Sequence, residues 1–156
     1  MAIPAKLIDF LNEGQAHYEI LHHPEAFTAQ ELAAIEHVPG RSHAKVVMVK
    51  AKGELLMTVL PADHRVDLKQ LSAVTGRPTN LAEETDFKSL FPDCAVGAMP
   101  PFGQLYGLTT YLDQSLVNAE SIIFEAGTHS DAIKMSFGDY RRLAKPRAAD
   151  FAVKLH

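Results

Sequence analysis

The stretch AKVVMVKAKGELLMTVLP, from Ala44 to Pro61, decides how this chain is read. Two runs rich in valine and leucine, 44–51 and 54–61, flank the pair Lys52-Gly53. Short apolar runs separated by a glycine-containing turn predict two strands joined as a hairpin. Working outward, HYEILHH (17–23) alternates like a strand before Pro24, and a short helix over about 4–12 opens at Pro4 and stops at Gly14. Thr28 with Glu31 forms a capping-box pattern for a second helix, with Leu32 and Ile35 facing inward and VPG (38–40) ending it. Downstream, Asp67 opens a helix that Gly76 closes, and EETDFKSLF (83–91) fits another, ended by Pro92. LTTYLD (108–113), SIIFEAG (121–127) and AIKMS (132–136) read as strands, and FGDYRRLA as a last helix beginning near Ser136 and stopping before Pro146. The order is too irregular for a βαβ series. It predicts an α/β, mixed α+β class, one domain over 1–156, with a largely mixed sheet.

At 156 residues, 47% hydrophobic and 22% charged, the chain has the composition of one ordinary globular domain. No apolar run approaches the roughly 20 residues a bilayer crossing needs. The N-terminus lacks the residue order of a signal peptide, so a cytoplasmic protein is expected. A formal charge of −4 argues against coating DNA or any long nucleic acid, where many phosphates must be neutralised. Brief contact with one nucleic-acid end stays open, because basic residues cluster at Arg41 and Lys45 and again at Arg141, Arg142, Lys145 and Arg147. Each cluster also reads as a solvated face.

GAMPPFGQLYG (97–107) holds three glycines, two adjacent prolines and two aromatics, with no charge. Pro100 and Pro101 fix φ and donate no hydrogen bond, while Gly97 and Gly103 permit unusual backbone. The first amides after the prolines belong to Phe102 and Gly103. Two adjacent N–H groups on a stiff loop suit a carboxylate, a phosphate or a developing oxyanion. Phe102 and Met99 would then be candidate pocket walls. A plain tight connection is the competing account. Lys45, beside the first residue of the clearest strand, suits a phosphate or carbonyl partner, or equally an edge-strand lysine in solvent.

Other chemistries lack their local signs. Cys94 is the one cysteine, which excludes an internal disulfide and reads as a buried thiol rather than an activated nucleophile. None of the eight histidines has helical ligand spacing: His22 and His23 point to opposite strand faces, His37 and His43 flank a turn, and His129 follows AGT in a loop. No metal and no cofactor is expected. Dinucleotide, Walker and G-x-S-x-G patterns are missing.

Taken in order, AKVVMVK, GAMPPFG, TYLDQSL and IIFEAGTHS resemble the YbaK-like proteins, relatives of the editing insertion domain of bacterial prolyl-tRNA synthetase. The resemblance runs from about His22 to Leu143. It implies a mixed, partly rolled sheet surrounded by helices and a trans-editing deacylase that removes a small amino acid, alanine or cysteine among them, from the 3′ end of tRNA, typically tRNA for proline. Carried over by position, Lys45 contacts the terminal nucleotide, and Gly97 through Gly103, with Pro101, forms the G-x-x-x-P loop that holds the aminoacyl group. Asp113, Gly127, Thr128 and His129, with Met99 and Pro100, would complete the site. The implied partners are the aminoacyl-tRNA acceptor end and prolyl-tRNA synthetase. AGTHSD stands where several relatives carry an Asn-rich segment, which bears on substrate choice. A non-catalytic binding module of the same fold is the alternative, and a histidine metalloenzyme a third reading.

Overall fold

The computed structural model describes residues 2–23 and 43–155. The capped helix expected from Thr28, its end at 38–40, His37 and Arg41 lie outside them. In chain order the elements are α1 (Ala5–Glu13), β1 (Tyr18–His22), β2 (Ala44–Ala51), β3 (Glu54–Pro61), β4 (His64–Val66), α2 (Leu68–Thr75), β5 (Thr79–Leu81), α3 (Glu84–Phe87), β6 (Thr109–Asp113), β7 (Ser121–Glu125), β8 (Asp131–Ser136), α4 (Phe137–Ala144), β9 (Arg147–Ala149) and β10 (Ala152–Lys154). Short 3-10 turns cover Lys88–Leu90, Gly103–Tyr106 and Gln114–Leu116.

The hairpin has the expected bounds. Lys52 and Gly53 both take positive φ, 50° and 87°, the requirement of a two-residue turn whose twist matches its strands. Its strands lie at the centre of a five-stranded sheet ordered β5-β2-β3-β6-β9, in which β3–β6 and β6–β9 are parallel. Both faces of β2 and β3 are covered, which is why their sequences read as continuous apolar runs rather than alternation. One face, with Met48, Met57 and Val59, joins the main core with Leu7 and Leu11 of α1 and Phe137, Tyr140 and Ala144 of α4. The other face, with Val49, Leu56 and Leu60, is closed by Leu71 of α2 and by Phe151.

A three-stranded antiparallel sheet, β1-β8-β7, lies against the main core through Ile122, Phe124, Ile133 and Met135. It meets the five-stranded sheet at a parallel bridge, His43 to Ile123. That bridge rolls the two sheets into one another, so the mixed, partly rolled arrangement is observed. Local signals placed the helices: Asp67 accepts from the Gln70 amide at 3.1 Å, Ser136 accepts from the Asp139 amide at 3.1 Å, and Gly76 ends α2 at φ 70°. Among the described residues no helix is long and apolar enough to cross a membrane.

Candidate functional site

The site begins at the meeting of the two sheets. In the parallel bridge His43 and Ile123 share a face, so the residues two further along, Lys45 and Glu125, project from that same side. Lys45 is half-buried; desolvation holds its ammonium below the usual lysine range, against an opposing pull from the Asp63 carboxylate. His43 is fully buried, and desolvation, with the positive field of His23, pushes it down to about 4.

Next to this junction the loop 95–103 is strapped to the β7–β8 turn. The Ala95 amide donates to the Gly127 carbonyl, and the Gly127 amide donates to the Ala98 carbonyl, both at 2.8 Å. His129 Nε2 stands 2.7 Å from the Val96 carbonyl oxygen. Gly127 has φ 87°, and a Cβ there would run into the ring of Pro4 at the head of α1. The two segments are therefore held by backbone bonds and a histidine, and α1 seats one of them.

Which amides remain available departs from the sequence expectation. Phe102 N–H donates to the Pro100 carbonyl at 2.8 Å, and Gly103 N–H to Thr110 Oγ1 at 3.0 Å. Neither can serve as a free donor. Gly103 is glycine for packing, since a Cβ would collide with Thr110 Oγ1 and the Leu108 carbonyl. Among the described residues, the amides of Val96, Gly97 and Met99 have no protein acceptor. Val96 and Gly97 are exposed, and Gly97 holds φ 85°. The donor stretch thus lies before the prolines rather than after them.

The remaining expected residues divide. Gly97, Met99, Pro100, Pro101, Gly127, Thr128 and His129 share this corner. Pro100 and Pro101 are buried, and the Pro101 carbonyl accepts from Tyr140 Oη at 2.8 Å, which fixes the loop to α4. Met99 lines a crevice of about 10 Å³ with Phe87, Phe91, Cys94 and Val96, room for about one water. Phe102 is not a pocket wall: its ring is fully buried, edge-to-face with Phe10, Phe124 and Tyr140 at centroid distances of 5.2–5.8 Å. Thr128 has its hydroxyl committed, donating to Asp131 Oδ2 at 2.7 Å. Asp113 belongs to the scaffold. Its buried carboxylate accepts from the Phe151 and Ala152 amides at 3.0 and 2.9 Å and from Ser115, and so pins the C-terminal strands. Desolvation pushes the Cys94 thiol up to about 11, which keeps it protonated and unsuited to attack. Among the described residues no cluster of three His, Cys, Asp or Glu could hold a metal.

Two residues of the corner were not singled out in the sequence. Asp131 accepts from Thr128 and lies 2.6 Å from His22 Nδ1. Glu125 stands 3.4 Å from His129 Nδ1, and desolvation raises its carboxyl above the usual range while His129 and His23 oppose the shift. Glu125 ends β7 and Asp131 opens β8, either side of the glycine turn, but nothing in a lone acid at a strand end distinguishes it from a surface charge.

The model of the aminoacyl-tRNA editing domain matches residues 23–143. The chain is 27% identical over 152 residues to the Escherichia coli K12 protein named multifunctional Ser/Thr-tRNA deacylase ProXp-y, covering 94% of this chain and 90% of that one. Its fold is that of the crystal structure of a candidate trans-editing enzyme for prolyl tRNA synthetase, with TM-score 0.83 and 19% identity over 95% of each chain. The hypothetical protein APE2540 is likewise similar, with TM-score 0.84 and 19% identity over 95% of this chain and 99% of that one. The chain belongs to the aminoacyl-tRNA editing domain family.

Proposed function

We propose that the protein is a trans-editing deacylase that hydrolyses the ester joining a small amino acid to the 3′ end of a tRNA. The observation that carries this reading is the braced stretch Val96–Met99, exposed at Val96 and Gly97, whose amides at positions 96, 97 and 99 lack acceptors among the described residues. An aminoacyl ester is already activated. Hydrolysis needs a positioned water and donors for the oxyanion that forms on the carbonyl, not a protein nucleophile. A thiol held protonated at Cys94 is consistent with that division of labour. In this scheme Gly97 N–H and Met99 N–H hold the acyl carbonyl oxygen, and Lys45 places its ammonium against the terminal nucleotide. The acidic net charge suits a protein that grips one RNA end.

Alanine, cysteine, serine and threonine form the substrate class, with tRNA for proline the acceptor to test first. The named activity of the Escherichia coli relative favours the hydroxyl-bearing pair. The cytoplasm and a surface of prolyl-tRNA synthetase are the corresponding place and partner. The test is to incubate the protein with alanyl-, cysteinyl-, seryl-, threonyl- and prolyl-tRNA and to follow ester loss. Turnover of at least one small aminoacyl ester is expected, falling about tenfold or more in Lys45→Ala. Binding without ester loss across the panel would instead make the protein a binding module.

A further inference from the structure

Glu125 ends β7 with a carboxyl whose side chain is only 16% exposed, an expensive place for an acid without a purpose. It faces His129 Nδ1 at 3.4 Å, while Nε2 of the same ring meets the Val96 carbonyl oxygen at 2.7 Å. A carbonyl only accepts, so Nε2 carries a hydrogen and donates it. Nδ1 of the neutral ring then only accepts, so the Glu125 carboxyl that faces it carries the proton and donates, the form its burial favours, and the ring is met at both nitrogens.

The consequence falls on the peptide between Val96 and Gly97. In a trans peptide the C=O and the following N–H point in opposite directions across one plane. Gripping the Val96 oxygen therefore sets the direction of the Gly97 N–H. Glycine at φ 85° places little steric restraint of its own on that plane, so the restraint must come from outside the residue.

We propose that Glu125 is a positioning residue: through His129 it holds the Val96 carbonyl and keeps the Gly97 N–H aimed at the acyl carbonyl of the substrate. The inference rests on the deacylase reading for its kinetic consequence and not for its geometry.

The experiment compares wild type, Glu125→Ala, Glu125→Gln and His129→Ala on the aminoacyl-tRNA that wild type hydrolyses best. Glu125→Ala and His129→Ala are expected to lower kcat about 10- to 100-fold with KM within about twofold. Glu125→Gln restores most of that loss, because its amide N–H donates to Nδ1 and keeps the ring in place. Nitrogen-15 spectra supply a second reading: His129 shows a single Nε2–H tautomer in wild type and in Glu125→Gln, and mixed tautomers with a displaced Gly97 amide resonance in Glu125→Ala. An unchanged kcat in Glu125→Ala, or a loss confined to KM, overturns the inference. An unmoved tautomer and Gly97 resonance overturns it as well. Should wild type hydrolyse no ester, the deacylase reading fails while the spectra still decide the positioning.

Discussion

The two halves of the loop 95–103, each uncharged and each with one glycine, have opposite employment. In the rear half, Pro100 to Gly103, every residue is buried, and the Phe102 and Gly103 amides have acceptors within the protein. In the front half, Ala95 to Met99, Val96 and Gly97 are exposed, and the amides of Val96, Gly97 and Met99 have no acceptor among the described residues. One half is core that happens to be irregular; the other is a presented backbone. A glycine at φ 85° serves presentation at position 97, whereas at 103 a glycine serves close approach to Thr110 and Leu108. The same residue type therefore carries two meanings, and only its tertiary neighbours tell them apart.

That contrast can be broken by substitution. The largest effect is expected for Phe102→Ala in the rear half. Removing a ring that touches three other aromatics should lower unfolding free energy by about 3–5 kcal/mol. Urea denaturation measures it, and a loss under about 1 kcal/mol would return Phe102 to the pocket-wall role expected from the sequence. In the front half, Gly97→Ala puts a Cβ at positive φ, about 1–2 kcal/mol of strain, 3.4 Å from His129 Cε1. Its main cost should be in turnover, about 100-fold in kcat, as the amide is displaced. Stability loss with full turnover would reverse the assignment of the halves.

How far this was readable beforehand depends on the range of the signal. Helix ends marked by Pro4, Asp67, Gly76 and Ser136, and the Lys52-Gly53 turn, are local events, and each lay where the residues predicted. Strands β4, β5, β9 and β10 have three residues each and were missed. Arg147–Ala149 becomes a strand only because β6 lies alongside it, with Tyr111 opposite Arg147. Loop chemistry failed in the same way: stiffness was legible in Pro100 and Pro101, but the acceptor for Gly103 is a threonine side chain seven residues on. Asp113 entered the expected site through the family resemblance, and its partners Phe151 and Ala152, 38 and 39 positions away, could not be read from its neighbours in sequence.

Two smaller effects sharpen the contrast. His43 is neutral when buried, with its pKa lowered from 6.5 to about 4 by desolvation and then by His23. A depressed histidine stabilises the fold above its unfolded pKa. The unfolded chain takes up the proton first as pH falls, so stability should drop by up to about 3 kcal/mol between pH 6.5 and 4. Urea midpoints across that window test this, and His43→Leu should flatten the slope. Thr110→Val strands the Gly103 amide and should cost about 1–3 kcal/mol while leaving kcat unchanged. A kcat loss would join the rear half to the chemistry.

The most direct measurement follows the loop amides of the nitrogen-15-labelled protein as a non-hydrolysable 3′-aminoacyl-adenosine amide is added to saturation. The Gly97 and Met99 amide protons should move downfield as they engage the acyl oxygen, with Phe102 and Gly103 unmoved. Gly97 and Met99 unchanged at saturation, with Phe102 and Gly103 shifting in their place, would contradict the account.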